Sequence, residues 1–318
     1  MAINFEKLDY GIAPDSPSLD NLIQVLIARA RDDDKGLDID KTSRAYFATN
    51  EWHKTILDTI DFKNKSALGI IGSTDFMLSA LNRGVRDFFG VDISLPACLF
   101  AELKITGLKN LSYDSYLGFF SYDEPLAPDA FSKSVYEIKL RPDLSRVART
   151  FFDNIIGQTF DYTLPDYTKV NVPLAFAFFL TPNCSTSFRQ VISYLKSAET
   201  FYDTKRKISE ATISLVQGEF LEEIGTESKA QEGFDMIYAS NISDCMNLPG
   251  TELMQALGRG LSQDGKIIFY SLLNNFNCVR QLVQKAGFDV KQYKPICREH
   301  GLKDVIFPDA YVAWRKTR

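Results

Sequence analysis

The sequence has few of the residues that bind metals or form disulfide bridges. Its 318 residues include five cysteines and two histidines. The cysteines are odd in number, widely scattered and never arranged as CxxC, which argues against a disulfide framework or a zinc knuckle. So few imidazole ligands also predict that the chain has no metal site.

An excess of positive charge and a long apolar run are also missing. The chain has 36 basic and 41 acidic residues, for a net charge of -5. This balance excludes a general cationic surface for nucleic acid or anionic membrane, so we expect no nucleic-acid partner and find no support for peripheral membrane contact. Since the first residues lack a charged n-region and an apolar h-region, and no 18-residue apolar span follows, we expect a soluble, cytoplasmic protein.

The composition is sufficient for a large core. Hydrophobic residues make up 45% of the chain and aromatic residues 13%, and the length suggests one domain with an elaboration. Residues 1–65 are predicted to be mostly helical, because apolar residues recur at helical spacing in 19–27 and aromatics cluster in 46–53, where they are typical of core. We predict an α/β domain from 66–120 and 208–318, interrupted by an inserted cap at 121–207.

The stretch "GIIGSTDFMLSALNRGVRDFFGVDIS" (69–94) predicts a strand, a turn, a helix and a second strand. Parallel strands joined by a helix form a right-handed βαβ unit, whose ligand crevice lies beyond the carboxyl ends of the strands. Gly72 allows close approach of a ligand to the backbone. Asp92 follows at about the spacing at which an acidic residue accepts hydrogen bonds from ribose hydroxyls. The pattern favours an adenosine-type ligand over an ordinary strand-to-helix turn, although it is not GxGxxG.

Later segments extend this unit. Strand-like runs occupy 213–224, 233–246 and 264–273, and two extended segments in the tail could pair as antiparallel strands at a sheet edge. This order resembles the Rossmann-like fold of class I S-adenosylmethionine-dependent methyltransferases, an α/β fold with a mostly parallel sheet. The resemblance implies S-adenosylmethionine as cofactor. The implied cofactor-binding residues are Gly72 and Ser73 near the methionyl and adenosyl groups, Asp92 and Ile93 at the ribose, Gly218 and Glu219 near the adenine, and Asn241 beside the reacting carbon.

A narrower resemblance follows Asp92. The stretch "VDISLPACLFAELKITGLKNLSYDSYLGFF" (91–120) resembles the S-adenosylmethionine:diacylglycerol 3-amino-3-carboxypropyltransferases, the first enzymes of betaine-lipid synthesis. The match rests on a proline after the acidic strand end, the ELK segment at 102–104, and an aromatic-acidic run that leads to a phenylalanine-rich turn. The segment "FDMIYASNISDCM" is also similar to a family segment, but Asn241 and Ile242 replace an aspartate and a histidine, while Asp244 matches the second aspartate.

The insertion at 121–207 has helical periodicity of its own around a Pro-punctuated loop at 161–173. We expect it to lie over the crevice as a cap or acceptor-binding subdomain. The run Leu174–Leu180 would then either line a pocket for an apolar acceptor or form a buried helix of the cap. A small molecule or a lipid is the expected acceptor.

The cofactor that the resemblance implies leaves three functions open. A sulfonium activates three carbons, so the protein mainly has to hold a nucleophile in line with one of them. Asp244 and Tyr113 are the candidate catalytic bases, with a helix N-cap and ordinary packing as their alternative roles. We expect first an aminocarboxypropyltransferase that releases methylthioadenosine, second a methyltransferase, and third a binding or scaffold protein with an atrophied site.

Overall fold

A computed structural model describes residues 4–13, 16–31, 45–46, 53–123, 127, 129–163, 168–180, 192–226, 233–240, 250–271, 276–293 and 309–316. The strands of this part of the chain are β1 (Asn4–Asp9), β2 (Ala45–Tyr46), β3 (Ser66–Ile70), β4 (Asp87–Asp92), β5 (Thr159–Thr163), β6 (Lys169–Pro173), β7 (Phe179–Leu180), β8 (Thr212–Gln217), β9 (Phe234–Ser240), β10 (Leu261–Ser271), β11 (Phe288–Tyr293) and β12 (Asp309–Arg315).

The helices of the same part of the chain are α1 (Pro17–Arg31), α2 (His53–Thr59), α3 (Asp75–Asn82), α4 (Leu95–Asn110), α5 (Tyr113–Phe119), α6 (Lys133–Val135), α7 (Arg146–Asp153), α8 (Ala198–Ile208), α9 (Phe220–Thr226), α10 (Gly250–Arg259) and α11 (Phe276–Lys285). A π-helical turn at Tyr136–Leu140 and a 3-10 turn at Arg141–Asp143 follow α6, and two more 3-10 turns lie at Leu174–Phe178 and Ser193–Leu195.

Eight of these strands form one sheet in the order β1-β8-β4-β3-β9-β10-β12-β11. In this sheet the six strands β1, β8, β4, β3, β9 and β10 run parallel to one another, whereas β12 is antiparallel to both β10 and β11. If β1 is left out and the other seven strands of the sheet are renumbered in chain order, their order across the sheet is 3-2-1-4-5-7-6. It is the order of a doubly wound sheet with an antiparallel strand inserted at one edge. The predicted Rossmann-like class I methyltransferase fold is confirmed.

Local sequence signals explain the first βαβ unit. The buried strands β3 and β4 pair in register from Ser66 with Asp87 to Ile70 with Val91. Helix α3 is followed by Gly84, whose φ of 95° lies in the left-handed region that terminates helices. Helix α4 begins after Ser94, which accepts a hydrogen bond from the N–H of Ala97 as an N-cap.

Helices cover both faces of the sheet. Because side chains alternate along a strand, Ala67 and Phe88 pack on one face with α1 to α5, α7 and α8, whereas Leu68 and Phe89 pack on the other with α9, α10 and α11. The chain therefore passes to opposite faces after β3 and after β9, although these two strands are neighbours. A doubly wound sheet has its ligand crevice at such a switch point.

The N-terminal region, which the sequence predicts to be mostly helical, also contains two strands. Residues 4–9 form β1, which pairs in parallel with β8 at the sheet edge, and residues 45–46 pair with β7. The short segment "NFEKLD" lacks a long apolar run, so its strand character comes from pairing with β8 and not from its own pattern. Helices α1 and α2 confirm the rest of that prediction where the region is described.

The described part of the insertion forms a layer on the first face. Its helix α7 contacts α4 and its helix α8 contacts α3. Its buried apolar residues belong to the same cluster as the side chains on the first face of the sheet. Its Pro-punctuated segment was predicted to be a loop, but 159–163 and 169–173 pair as an antiparallel hairpin. Leu174–Phe178 is a buried 3-10 turn, which agrees with the packing alternative for these residues. No helix in the described parts of the chain is long and apolar enough to cross a membrane.

A glycine at the centre of the sheet offers a test of the fold. A Cβ on Gly69 would lie 2.9 Å from Cζ of Phe88 and 3.3 Å from Cβ of Tyr238. We expect the Gly69→Ala variant to lose about 1–3 kcal/mol of unfolding free energy, because both rings must shift in a packed core. Urea denaturation would measure this loss. Gly118→Ala is the matched control, since nothing lies within 4 Å of a Cβ at that position.

Candidate functional site

The loop between β3 and α3 has an unusual backbone. Gly72 has φ 51° and Thr74 has φ 73°, so two of three successive residues lie in the left-handed region. The N–H of Thr74 donates to the carbonyl oxygen of Ile71 at 2.7 Å, which closes the turn. Ser240, the last residue of the neighbouring strand β9, has φ 45°. Left-handed conformations are unfavourable for threonine and serine, and such strain concentrates at binding sites.

Asp92 ends β4 and lies directly against this loop. Its Oδ2 accepts the N–H of Gly72 at 2.9 Å, and its Oδ1 accepts the N–H of Ser94 at 2.9 Å. The structure thus brings together Gly72 and Asp92, the two residues on which the sequence prediction depended. The N–H of Ile93 also donates to this carboxylate. A carboxylate has about four acceptor positions, so these three backbone donors leave room for about one further hydroxyl or N–H donor.

The electrostatics of Asp92 also suit a neutral polar ligand. Burial raises its pKa to about 6, and the N–H groups of Ser94, Gly72 and Ile93 oppose the shift. Within the described part of the chain, no cation contributes to this pKa, and the charge is balanced by backbone dipoles. Hydroxyl donors would complete the solvation of the carboxylate without forming an ion pair.

The end of the third strand, β8, lies beside Asp92. The N–H of Gly218 donates to the backbone carbonyl of Asp92 at 3.0 Å, and Nε2 of Gln217 donates to the carbonyl of Ile93 at 3.3 Å. Ile93 is half-buried and Glu219 is exposed. The carbonyl of Glu219 accepts the N–H of Glu222 and Glu223 in the first turn of α9. Six of the predicted site residues therefore lie together at the carboxyl ends of β3, β4 and β8: Gly72, Ser73, Asp92, Ile93, Gly218 and Glu219.

The other three predicted site residues differ from this set. Asn241 and Asp244 lie outside the described residues, directly beyond β9. Tyr113 lies past the far end of α4, a helix of 16 residues that spans about 24 Å. Its hydroxyl donates to the carbonyl of Leu195 at 2.7 Å and its ring packs on Phe201. This placement, away from the carboxyl edge, favours the packing role of Tyr113 over the role of a base.

Two features near the site were missed from the sequence. Ser94 both caps α4 and holds Asp92, and the sequence signal for it was a serine two residues before Pro96. His53 is buried, with Nε2 3.2 Å from the hydroxyl of Tyr238, and Phe76 stacks on Tyr238 with ring centroids 3.7 Å apart. His53 was predicted to be core, but its contact with a strand of the switch point could not be read from the sequence.

The comparisons with known proteins are limited to distant structural likeness. No known family model and no curated protein matches the sequence. The ribosomal protein L11 methylase of Lactobacillus delbrueckii subsp. bulgaricus is 11% identical, with a TM-score of 0.39, over 83% of this chain and 80% of that one. A SAM-dependent methyltransferase of Agrobacterium tumefaciens is 11% identical, with a TM-score of 0.37, over 84% of this chain and 60% of that one. A putative S-adenosylmethionine-dependent methyltransferase of Listeria monocytogenes is 10% identical, with a TM-score of 0.37, over 84% of this chain and 99% of that one. At these values, the fold assignment rests on the chain's own strand order.

Proposed function

We propose that this protein is an S-adenosylmethionine-dependent transferase. The observation that carries the proposal is the position of Asp92, beside the left-handed Gly72 turn at the switch point of a class I sheet. The acceptor capacity left on Asp92 would take a hydroxyl group of a ribose. A half-buried carboxylate with no cationic partner among the described residues is a poor site for an anion, so a neutral diol is the better ligand for this position.

Other residues follow from this placement. Gly72 and Ser73 would contact the methionyl and adenosyl part of the cofactor, Ile93 would lie with Asp92 at the ribose, and Gly218 and Glu219 would border the adenine. The bound sulfonium would supply an activated carbon. Asn241 would lie at the strand end beside that carbon, and Asp244 would take the proton of a small-molecule or lipid acceptor.

Methyl transfer is our first candidate for the reaction, by analogy with the class I methyltransferases whose fold this sheet resembles; the analogy concerns the fold and not the site. Aminocarboxypropyl transfer is the second candidate, and the resemblance in 91–120 favours it. Two of the residues that carry this resemblance, Glu102 and Lys104, are buried parts of α4, and Tyr113 packs away from the carboxyl edge. These positions do not discriminate between the two transferred groups.

The experiment that tests the proposal begins with binding. Purified protein is titrated with S-adenosylmethionine by calorimetry, then incubated with the cofactor and an extract of small molecules and lipids. Protein-dependent S-adenosylhomocysteine would support methyl transfer, and methylthioadenosine would support aminocarboxypropyl transfer. Since S-adenosylmethionine also decomposes to methylthioadenosine, a protein-free sample and the Asp92→Ala variant serve as controls. Binding without either product would favour the binding or scaffold protein, and absence of binding would refute the proposal.

The pKa of Asp92 predicts a pH dependence of cofactor binding. Because ribose hydroxyls donate to the ionised carboxylate, protonation below a pKa of about 6 removes the binding form. We expect the dissociation constant at pH 5 to be about tenfold higher than at pH 7.5, one pH unit below the pKa being worth a factor of about ten. Calorimetry at the two pH values measures the change, with circular dichroism to confirm that the protein stays folded. A constant affinity across this range would contradict the ribose assignment.

A further inference from the structure

A buried ion pair lies directly beneath the loop that precedes α3. Lys104 of α4 donates from Nζ to the carbonyl oxygen of Ser73 at 2.6 Å, and the same Nζ lies 3.5 Å from Oδ1 of Asp75. The side chains of Lys104 and Asp75 are 1% and 0% exposed. Burial lowers the pKa of Lys104, and the charge of Asp75 opposes that shift. A cation is thus held in the core with a backbone carbonyl of the loop as one of its acceptors.

Both ends of the insertion reach the same carboxylate. The hydroxyl of Tyr122, where the insertion begins, donates to Oδ1 of Asp75 at 3.3 Å, and the hydroxyl of Tyr194, near its end, donates to that atom at 3.2 Å. The hydroxyl of Tyr116 is 3.2 Å from that of Tyr194, and Nζ of Lys104 lies 5.4 Å from the centre of the Tyr122 ring. All three tyrosines are fully buried, so their hydroxyls bond to one another and to Asp75 in a medium of low dielectric.

Stability alone does not account for such a network. A buried ion pair contributes little net stability compared with well-packed apolar residues of similar volume. Compared with apolar residues, the ion pair adds a fixed orientation of the Ser73 peptide, because the Ser73 carbonyl must face Lys104 to accept its hydrogen bond. That peptide lies between the two left-handed residues, Gly72 and Thr74, whose conformation is otherwise unfavourable. The network therefore fixes the loop through the carbonyl of Ser73, whereas Asp92 fixes it through the N–H of Gly72.

We propose that Lys104 is a positioning residue that keeps the loop Gly72–Thr74 in its ligand-binding conformation, and that Tyr122 and Tyr194 couple the insertion to this loop through Asp75. The identity of the ligand rests on the proposed function, whereas the ordering of the loop does not. Contacts made by the insertion can then change cofactor affinity without touching the cofactor.

The Lys104→Met variant tests the first half of this proposal. We expect its dissociation constant for S-adenosylmethionine to rise at least tenfold, the effect of losing one charge-assisted hydrogen bond that fixes the loop. Glu102→Gln is the matched control, because Glu102 is equally buried on the same helix but bonds to Tyr10 and Ser145 and not to the loop. The control is expected to be less stable, with unchanged cofactor affinity in its folded fraction.

A double variant separates positioning from folding. Lys104→Met combined with Asp75→Asn removes both charges, so the double variant should recover stability relative to Lys104→Met alone. The asparagine oxygen still accepts from Tyr122 and Tyr194, but Ser73 has lost its donor. We expect cofactor affinity to stay at least tenfold reduced. Recovery of affinity together with stability would overturn the proposal, since Lys104 would then act only on folding.

Amide hydrogen exchange without cofactor keeps the two proposals distinguishable. The double variant is expected to lose protection at residues 71–75 and to retain it in β4 and β8. If the wild-type protein does not bind S-adenosylmethionine but these amides still depend on Lys104, the proposed function fails and the positioning role stands. Unchanged protection at 71–75 would overturn the positioning role whatever the cofactor.

The coupling to the insertion has its own test. Tyr194→Phe removes only the hydroxyl that bonds to Asp75. We expect a threefold to tenfold loss of cofactor affinity, because only part of the free energy of this charge-assisted hydrogen bond reaches the loop. Tyr136→Phe is the control, because that buried hydroxyl also donates to an aspartate, Asp153 at 2.8 Å, at a distance from the loop. Equal affinity in both variants would overturn the coupling.

Discussion

The Asp92→Ala variant is expected to bind S-adenosylmethionine at least a hundredfold more weakly than the wild-type protein. A carboxylate that accepts a ribose hydroxyl contributes a charge-assisted hydrogen bond worth about 1.5–3 kcal/mol. The same substitution removes the acceptor of the Gly72 N–H and so loosens the loop on which the methionyl part would lie. Isothermal calorimetry on the two proteins measures the difference.

Loss of the fold is not expected to explain this result. Because burial raises the pKa of Asp92 to about 6, compared with about 3.9 for an unperturbed aspartate, the native state holds the proton more tightly than the unfolded state. The ionised group therefore lowers the stability of the fold as the pH rises from about 4 to 6, and its charge does not stabilise the fold at neutral pH. Removing the charge itself therefore does not cost stability at neutral pH. The N–H groups of Gly72 and Ser94 lose their acceptor, at about 1–3 kcal/mol each if they stay buried, so cofactor affinity is measured on the folded fraction.

Asp87→Ala is the matched control for this prediction. Asp87 begins the same strand at the opposite edge of the sheet, where it pairs with Arg86 at 2.7 Å. A surface ion pair of this kind contributes about 0–1 kcal/mol, so affinity and stability should both remain near wild type. Equal cofactor affinity in Asp87→Ala and Asp92→Ala would remove Asp92 from the site.

The parts of the fold that the sequence predicted are those built from local signals. Strand β3, helix α3 and strand β4 are consecutive, and their apolar pattern and Gly84 mark where each begins and ends. Asp92 could be placed against Gly72 because parallel neighbours end at the same edge of a sheet. The strands β11 and β12 were found for a similar reason, as two extended segments close in sequence that pair with each other.

The parts that were missed depend on contacts between distant segments. Strand β1 is a strand because β8 lies beside it, and β8 begins more than 200 residues later in the chain. The contact between Lys104 and Ser73 requires the relative position of α4 and the loop, which no spacing rule supplies. The role of Tyr113 as a base stays a prediction, and the hydrogen bond from its hydroxyl to the carbonyl of Leu195, another contact between distant segments, favours the packing alternative.

The residues that carried the family resemblance have structural roles, and Glu102 gives the largest expected effect on stability. Glu102 is fully buried, and its carboxylate accepts from the hydroxyl of Tyr10 at 2.5 Å, from the hydroxyl of Ser145 at 2.8 Å, and from the Ser145 N–H. We expect Glu102→Ala to lower the free energy of unfolding by about 3–5 kcal/mol, because three buried donors lose their acceptor at about 1–3 kcal/mol each. Urea denaturation measures the loss.

Glu137→Ala is the control for this prediction, because Glu137 is exposed and forms a surface pair with Lys133 at 3.8 Å. It should change stability by less than about 0.5 kcal/mol. In Glu102→Ala, amide exchange should increase first in β1, since Tyr10 follows that strand directly, and in α7, whose N-cap is Ser145. A loss below about 1 kcal/mol would mean that water replaces the carboxylate. Glu102 would then not hold β1 and α7 against α4. Its match to the family segment would require an explanation other than a role in stability.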